Sequence, residues 1–183
     1  MIRTLLWILG AVLLGGIVHL ATVLAMPRAA NQDAYSRLET VTPVNSVVPL
    51  APPTAEASVM PFMDPAFAAA VCRYDLADGI VKLNAPLSQA YTSVTFYTRN
   101  SIAYYAIDDR AAGRRAIELD LMTPEQHSQV PEGEDVTAAD RLIIESPTRT
   151  GLIILRALAP EPGLMPMARR ALANAQCRLG PVQ

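Results

Sequence analysis

The sequence predicts an α+β fold, with an N-terminal transmembrane helix followed by a mainly antiparallel β-sheet or sandwich domain flanked by two helices. Three observations carry this prediction: an uncharged apolar run near the N-terminus, six or seven short strand-like runs at hairpin spacing, and no regular strand–helix alternation. The predicted parts are a transmembrane anchor at 1–26, a proline-rich tether at 27–61 and a β-rich domain at 62–183.

The anchor prediction rests on the length of the apolar run at residues 4–26. It holds 23 residues without a formal charge, and at about 1.5 Å per residue it reaches roughly 34 Å, more than a ~30 Å hydrocarbon core. The alternative is a cleaved signal peptide, whose apolar core spans only about 7–15 residues before a small-residue cleavage site. The nearest weak site lies around residues 25–30. The length of the run therefore favours an uncleaved anchor.

The short N-terminal tail predicts the orientation of this anchor. Arg3 and the terminal amine precede the apolar run, and such a short basic tail is readily kept in the cytoplasm while the long remainder is exported. We therefore expect a single-pass protein of the bacterial inner membrane, with a cytoplasmic N-terminus and a periplasmic domain.

One face of the anchor is a candidate for pairing with another helix. Ala11, Gly15 and His19 are spaced by four residues and share a face. Small residues let a second helix approach closely, and an imidazole at this depth favours a partner over lipid. The alternative is that Gly and Ala are simply common in anchors and that His19 reaches water at the interface.

Prolines and turn residues divide the rest of the chain. The tether contains six prolines that interrupt regular elements, and a short helix is expected near residues 33–40. Asp64 and Pro65 indicate the start of a helix over 65–73. Pro162 and Gly163 indicate the start of a closing helix over 163–178. Strands are expected at 80–84, 92–98, 102–107, 116–122, 141–145 and 151–158. We expect one hairpin between 92–98 and 102–107 and another between 141–145 and 151–158.

Two cysteines, Cys72 and Cys177, are predicted at the ends of the two domain helices. In an oxidising compartment such a pair is a disulfide candidate. The alternative is two buried free thiols. The disulfide prediction depends on a periplasmic location.

Composition and motif spacing argue against several kinds of function. The chain has 17 acidic and 15 basic residues, so it lacks the basic excess of a general nucleic-acid binder. It has two histidines, His19 in the anchor and His127 in a polar stretch, which makes a zinc site or a Ser-His-Asp site improbable. It also lacks the glycine-rich loops that bind phosphates. We therefore assign no catalytic, cofactor-binding or metal-binding residues and expect no cofactor.

Weak functional candidates lie at the end of the predicted central hairpin. Asp108 and Asp109 are adjacent acids. Two such carboxyl groups can act as general acid and general base when their surroundings give them different pKa values. The arginines nearby, Arg110 among them, also favour a solvated ion-pair network. Tyr105 belongs to a group of aromatic residues on this hairpin. An exposed tyrosine-rich sheet face would suit protein or glycan contact, whereas core packing explains the same pattern.

Several short motifs resemble those of an uncharacterised bacterial family of predicted integral membrane proteins that carry a domain of unknown function. The matching runs are 70–76 (AVCRYDL), 78–79 (DG), 85–87 (APL), 96–98 (FYT) and 105–110 (YAIDDR). Short members of that family are related to longer secreted proteins in which two such domains are fused. The resemblance implies a β-sandwich-like fold and a companion domain on a separate chain, and it assigns no catalytic residue.

Two classes of function follow from these observations. The first is a membrane-anchored periplasmic interaction or assembly module, whose partner is a related domain on a separate chain or a second copy of this chain. The second is an envelope-localised enzyme or a small-ligand-binding domain that uses Asp108, Asp109 and the nearby tyrosines. The missing motifs favour the non-enzymatic module.

Overall fold

The computed structural model describes residues 1–29, 33–54, 56–112, 115–130 and 142–181, and the chain forms two compact units. The first unit, Met1–Gln32, contains helix α1 (Ile2–Ala29). Residues Ile2–Met26 of this helix are long and apolar enough either to cross a membrane or to serve as a signal sequence. An 18-residue window within them has a mean hydropathy of 2.3, which reflects the long run without charged side chains.

The second unit, Asp33–Gln183, is built from two β-sheets. Its strands are β1 (Val47–Pro49), β2 (Phe67–Asp75), β3 (Ile80–Pro86), β4 (Thr92–Thr98), β5 (Ala103–Asp108), β6 (Ala116–Met122), β7 (Leu142–Glu145), β8 (Thr150–Leu158) and β9 (Gln176–Gly180). Its short helices are α2 (Ala34–Glu39), α3 (Asp109–Ala112), α4 (Pro124–His127) and α5 (Met165–Ala173).

The two sheets pair mainly antiparallel strands, which confirms the predicted α+β class. The five-stranded sheet has the order β1-β2-β8-β4-β5, and the four-stranded sheet has the order β7-β6-β3-β9. The described strands pair antiparallel except β6 with β7, which are parallel. The predicted hairpin of β4 and β5 is present.

The main core lies between the inner faces of the two sheets. On β6, Ile117, Leu119 and Leu121 are buried, as the alternation of apolar and acidic residues predicts. They share this core with residues such as Phe96 on β4 and Leu155 on β8. Burial of these alternate positions fixes the register of each strand, because a shift by one residue would bring polar residues into the core.

The helix predicted over residues 65–73 is wrong, because this stretch forms strand β2. Asp64 Oδ1 accepts a hydrogen bond of 2.9 Å from the Ala66 amide, so the expected helix cap instead forms a local turn. From Phe67 onward, β2 pairs over nine residues with β8. This long-range pairing overrides the helical propensity of an alanine-rich run.

The closing helix is shorter than predicted and is followed by a strand. Helix α5 ends at Ala173, and the chain then forms β9, which pairs with β3. Ala168 and Leu172 are buried as the helical spacing predicts. In β9, Cys177 is buried between the exposed side chains of Gln176 and Arg178.

The predicted hairpin between residues 141–145 and 151–158 is also wrong. Residue 141 lies outside the described residues. The described part, β7, pairs in parallel with β6 in the four-stranded sheet, whereas β8 lies between β2 and β4 in the five-stranded sheet. The short connection therefore crosses from one sheet to the other. Strand β8 is a central strand of the five-stranded sheet, and β7 is an edge strand of the four-stranded sheet.

The disulfide predicted between Cys72 and Cys177 is confirmed. The predicted position of both cysteines at helix ends is wrong. Cys72 lies on β2 and Cys177 on β9. The bond joins the two sheets across the core and closes a loop with a sequence separation of 105 residues. Both cysteine side chains are buried.

The predicted tether contains regular structure that belongs to the second unit. Residues 34–39 form α2, capped by Asp33, and Val47–Pro49 form β1, which pairs with β2. The compact unit therefore begins at Asp33, ahead of the predicted domain boundary at residue 62. Prolines did not exclude a strand here because β1 is a short edge strand with Pro49 at its end.

Replacing Leu38 by alanine should destabilise the second unit by about 3 kcal/mol, because this side chain is fully buried and its removal leaves a cavity. Leu38 packs against Val71 and Leu152 on the outer face of the five-stranded sheet. Thermal or chemical unfolding of the full chain measures the effect. Val41→Ala is the matched control, since Val41 is 44% exposed. Equal stability of the two variants would show that residues 33–64 do not pack as described.

Candidate functional site

The outer face of the five-stranded sheet is covered over one half and open over the other. The covered half lies beneath the covering segment, which we define as residues 33–64 apart from residue 55, which is not described. Leu38, Tyr35, Leu50 and Met60 of this segment pack on the sheet. The open half consists of the outward side chains of Ser93 and Thr95 on β4, of β5 and of the end of β8, so it is the part of this face available to a ligand or partner.

A row of outward side chains crosses four strands of this sheet. The register places Arg156 of β8 between Ala69 of β2 and Ser93 of β4, and Ser93 pairs in turn with Asp108 of β5. A positive and a negative side chain therefore lie on either side of a small hydroxyl residue. The next row along β4 and β5 contains Thr95 and Ala106, which are also small.

Two adjoining cavities lie along this row. The larger, about 450 Å³, is lined by Phe67, Tyr91, Ser93, Thr95, Ala106, Ile107, Asp108, Ala111 and Arg156. The smaller, about 250 Å³, is lined by Leu50, Met60, Pro61, Phe62, Met63, Asp64, Phe67, Ala69, Ile154 and Arg156. Phe67 and Arg156 line both cavities. We call the two cavities together the outer groove. The larger cavity, which contains Asp108, is its polar wing, and the smaller cavity, which contains Met60 and Phe62, is its apolar wing.

Arg156 differs from the other arginines on this face in its partners. Arg73 Nη1 lies 3.0 Å from Glu39 Oε1, and Arg99 forms an ion pair with Asp33. Among the described residues, the side chain of Arg156 has neither a hydrogen bond nor an ion pair. Its guanidinium is therefore available to an anion entering the outer groove.

Tyr35 and Asp33 attach the covering segment to this sheet. The Tyr35 ring lies 5.2 Å from the guanidinium carbon of Arg73 and 4.1 Å from that of Arg99, within cation–π range. Burial raises the pKa of Tyr35. Burial also opposes ionisation of Asp33, but the hydrogen bonds from Ser36 and the charge of Arg99 outweigh it and hold the pKa of Asp33 below its usual value.

The predicted candidates Asp108 and Asp109 are neighbours in sequence but have different surroundings. Asp108 lines the outer groove, and its Oδ1 accepts a hydrogen bond of 3.0 Å from the Ala111 amide. Asp109 Oδ1 accepts a longer bond of 3.3 Å from the Thr92 amide. Arg110 is exposed on α3. The acid–base role proposed for this pair stays a prediction.

The hairpin tyrosines divide between different environments and do not form one exposed face. Tyr105 is 36% exposed and packs edge-on against Phe96, with ring centroids 5.9 Å apart. Tyr104 also contacts Phe96, because the register of β4 and β5 shifts between Phe96 and Tyr97. Tyr97 lies on the opposite face with the covering segment. Core packing therefore accounts for most of this aromatic pattern.

Sequence analysis missed a buried hydroxyl network at one end of the core. Tyr74 Oη lies 2.9 Å from Ser146 Oγ and 3.3 Å from Tyr104 Oη. Burial, and then the neighbouring Tyr74, raise the pKa of Tyr104. These partners satisfy groups that would be costly to bury alone, so the network supports the fold. Ser146 lies in the connection between the two sheets, which no local pattern predicts.

Sequence analysis also missed Arg156, although a signal was available. It is the one charged residue between Arg149 and Glu161, within an otherwise apolar strand. A charge at such a position on a central strand implies that one face of that strand is open to solvent or to a ligand. Phe62 gave no comparable signal, since the sequence around it looked like a linker.

The remaining predicted sites can be placed on the described residues. Ala11, Gly15 and His19 lie on α1, and their pairing with a second helix stays a prediction. His127 Nδ1 lies 2.6 Å from Glu145 Oε1 on an exposed surface. Within the described ranges there is no cluster of three or more His, Cys, Asp or Glu side chains placed to hold a metal ion.

Comparison with known proteins gives a family and a fold but no activity. A family model described as "Protein of unknown function (DUF1254)" matches residues 44–179. No curated protein matches the chain. The VPA0106 protein from Vibrio parahaemolyticus has a similar fold, with a TM-score of 0.57 and 14% identity over 79% of this chain. An uncharacterised protein from Burkholderia cenocepacia is also similar, with a TM-score of 0.49 and 13% identity over 76% of this chain. The chain spans only 32% and 36% of the lengths of those two proteins.

Proposed function

We propose, from the premise that this chain belongs to the DUF1254 family of proteins of unknown function, that it is a membrane-anchored interaction module whose partner is a related domain on a separate chain. The observation that carries this proposal is the unprotected outer edge of strand β5. The module is held at the bacterial inner membrane by α1, with its N-terminus in the cytoplasm and its second unit in the periplasm.

Strand β5 has the properties of an edge that another strand covers. It forms one end of the five-stranded sheet, and it carries no charge from Ala103 to Ile107. Ala103, Tyr105 and Ala106 are exposed, and Ile102 just before them is 64% exposed. An open, uncharged edge strand of this length invites pairing with another chain.

The other three edges are better protected. Strand β1 is only three residues long and ends in Pro49, and β7 is four residues long and ends in Glu145. Strand β9 has Arg178 at its centre. Short length, proline and charge are the usual means of blocking edge pairing, so β5 is the edge best suited to a partner.

The resemblance of the short motifs to the family supports this kind of partner, because it implies a companion domain on a separate chain. This chain corresponds to about a third of the VPA0106 protein, which has a similar fold. The disulfide and the apolar N-terminal helix support an oxidising location beyond the membrane. Anchoring in the same membrane would raise the effective concentration of two such chains.

Photo-crosslinking in native membranes tests the proposed partner. Tyr105→p-benzoylphenylalanine places a photoreactive benzophenone on β5, at a side chain that is 36% exposed. Leu179→p-benzoylphenylalanine is the matched control, because Leu179 is 45% exposed on the edge strand β9. We expect the Tyr105 variant to form an adduct with a protein that carries a related domain, and the Leu179 variant to form none with it.

Three results would overturn the proposal. Equal adducts from both variants would mean that β5 has no special role. Adducts of this chain only with a second copy of itself would make it a homo-oligomer. Adducts only with proteins that lack a related domain would exclude the proposed class of partner.

A further inference from the structure

We propose that the outer groove is a binding site for short peptides with free ends and an apolar C-terminal side chain. The peptide carboxylate pairs with Arg156, and the N-terminal ammonium group pairs with Asp108. The C-terminal side chain occupies the apolar wing beside Phe67. This site is separate from the β5 edge contact, because it uses the face of the sheet and not its edge.

The charges of the groove define the two ends of the ligand. Arg156 lacks a partner among the residues that the structure describes, and its planar guanidinium can bind a carboxylate through two parallel hydrogen bonds. Asp108 uses one carboxylate oxygen to accept the Ala111 amide at 3.0 Å. Among the described residues, the other oxygen has no hydrogen-bond partner and the negative charge has no ion-pair partner, so both are available to an ammonium group.

The separation of these two side chains sets the length of the ligand. Arg156 and Asp108 lie on β8 and β5, with Ser93 of β4 between them in register. Two strand spacings amount to about 9.6 Å. An extended chain advances about 3.3–3.6 Å per residue, so two or three residues span the distance. The two charged side chains themselves form no ion pair, which leaves the space between them open.

The floor of the groove between the charges is small and polar. It is formed by Ser93, Thr95 and Ala106, which are adjacent outward residues of β4 and β5. Small side chains let a peptide backbone approach the sheet, and the two hydroxyl groups offer hydrogen bonds to its amide groups. The cavity above them, about 450 Å³, exceeds the volume of a dipeptide backbone.

The apolar wing adjoins the Arg156 end of the groove and not the Asp108 end. This places its contact beside the ligand carboxylate, and therefore at the C-terminal residue. Its volume of about 250 Å³ suits one large side chain. Met60 and Met63 give this wing adaptable walls.

Phe62 forms the rim of this wing and is unusually placed. Its side chain is 103% exposed, and its φ of 58° lies in the left-handed region. A fully exposed phenylalanine held in a costly backbone conformation is a candidate ligand contact. An apolar ligand side chain in the wing would remove part of this ring from water.

Isothermal titration of the full chain in lipid nanodiscs tests the site. The probes are alanyl-phenylalanine, its N-acetyl form, its C-terminal amide and alanyl-aspartate. We expect saturable binding of the free dipeptide, and at least about tenfold weaker binding of each of the other three. Arg156→Gln should weaken binding of the free dipeptide about tenfold but leave the affinity for the amide unchanged. Asp108→Asn keeps an oxygen that can accept the Ala111 amide. It should weaken binding of the free dipeptide about tenfold but leave the affinity for the N-acetyl form unchanged.

Arg178→Gln is the matched control, because Arg178 is exposed on β9 of the other sheet. It should bind the free dipeptide as the unmodified chain does. No saturable binding up to millimolar concentration would overturn the proposal. So would equal affinity for the free and blocked peptides, or equal loss in the Arg156 and Arg178 variants. Arg156 lies on the central strand β8, away from the β5 edge that the crosslinking experiment probes, so the two proposals can fail independently.

Discussion

Replacing both Cys72 and Cys177 by alanine should lower the free energy of unfolding of the second unit by about 3–4 kcal/mol. The bond joins strands on opposite sheets across a sequence separation of 105 residues, so it removes many open conformations from the unfolded chain. For a unit of this size, each kcal/mol shifts the midpoint of thermal unfolding by roughly 2–4 °C. A fall of about 10 °C in the full chain is therefore expected, measured by near-ultraviolet circular dichroism.

Reductant gives an independent control for this variant. The unmodified chain in excess dithiothreitol should unfold close to the midpoint of the double variant, and dithiothreitol should not change the double variant further. Alanine is preferred to serine, because both side chains are buried and a new hydroxyl group would add its own cost. An unfolding midpoint within about 1 °C of the unmodified chain would contradict a stabilising role for the bond.

Replacing Gly151 by alanine should cost about 3 kcal/mol or more, since the new methyl group has no space. An added Cβ would lie 2.2 Å from the carbonyl oxygen of Tyr97 and 2.3 Å from Tyr74 Oη. Gly151 pairs with Tyr74 on β2 and with Thr98 on β4, so relief would require the central strands to move apart. Thermal unfolding of the full chain measures the loss.

Gly163→Ala is the matched control, because an added Cβ there meets no atom within 4 Å. It should leave the unfolding midpoint almost unchanged. Adding Tyr74→Phe to Gly151→Ala should not restore stability, since the contact with the Tyr97 carbonyl oxygen remains. Equal midpoints for Gly151→Ala and Gly163→Ala would mean that the strands around Tyr74 are not packed as described.

The local sequence pattern was sufficient to predict those elements whose periodicity or capping residue lies within the element itself. The alternation in β6 predicts Ile117, Leu119 and Leu121 as core residues, and the short helix expected near residues 33–40 is present as α2, capped by Asp33. The apolar run of α1 needed no tertiary information either. In each case, the period or the cap lies within a few neighbouring residues.

Local pattern failed where distant strands decided the outcome. Residues 67–75 have the composition of a helix, but pairing with both β1 and β8 makes them a strand. At helical spacing, Phe67, Ala68 and Val71 would share one apolar face. In the strand, Ala68 faces the main core and Val71 faces the covering segment. Nothing in the local sequence distinguishes burial in the main core from burial beneath the covering segment.

The candidate site was predicted only at its edge. Asp108 was named from the sequence and does line the outer groove, whereas Arg156 and Phe62 were not named. Asp108 and Arg156 are brought together by the position of β8 beside β4. The sequence placed β8 in a different hairpin, so the row of charged and small residues could not be predicted.

The most direct measurement is the intact mass of the chain extracted from membranes after its free thiols have been alkylated without reduction. An anchor that stays in the bilayer and delivers the folded unit to an oxidising space predicts a single species. It would retain the complete N-terminal helix, carry no alkyl group and weigh two hydrogens less than the reduced chain. A species that begins near residue 30, or one that carries an alkyl group on each cysteine, would contradict it.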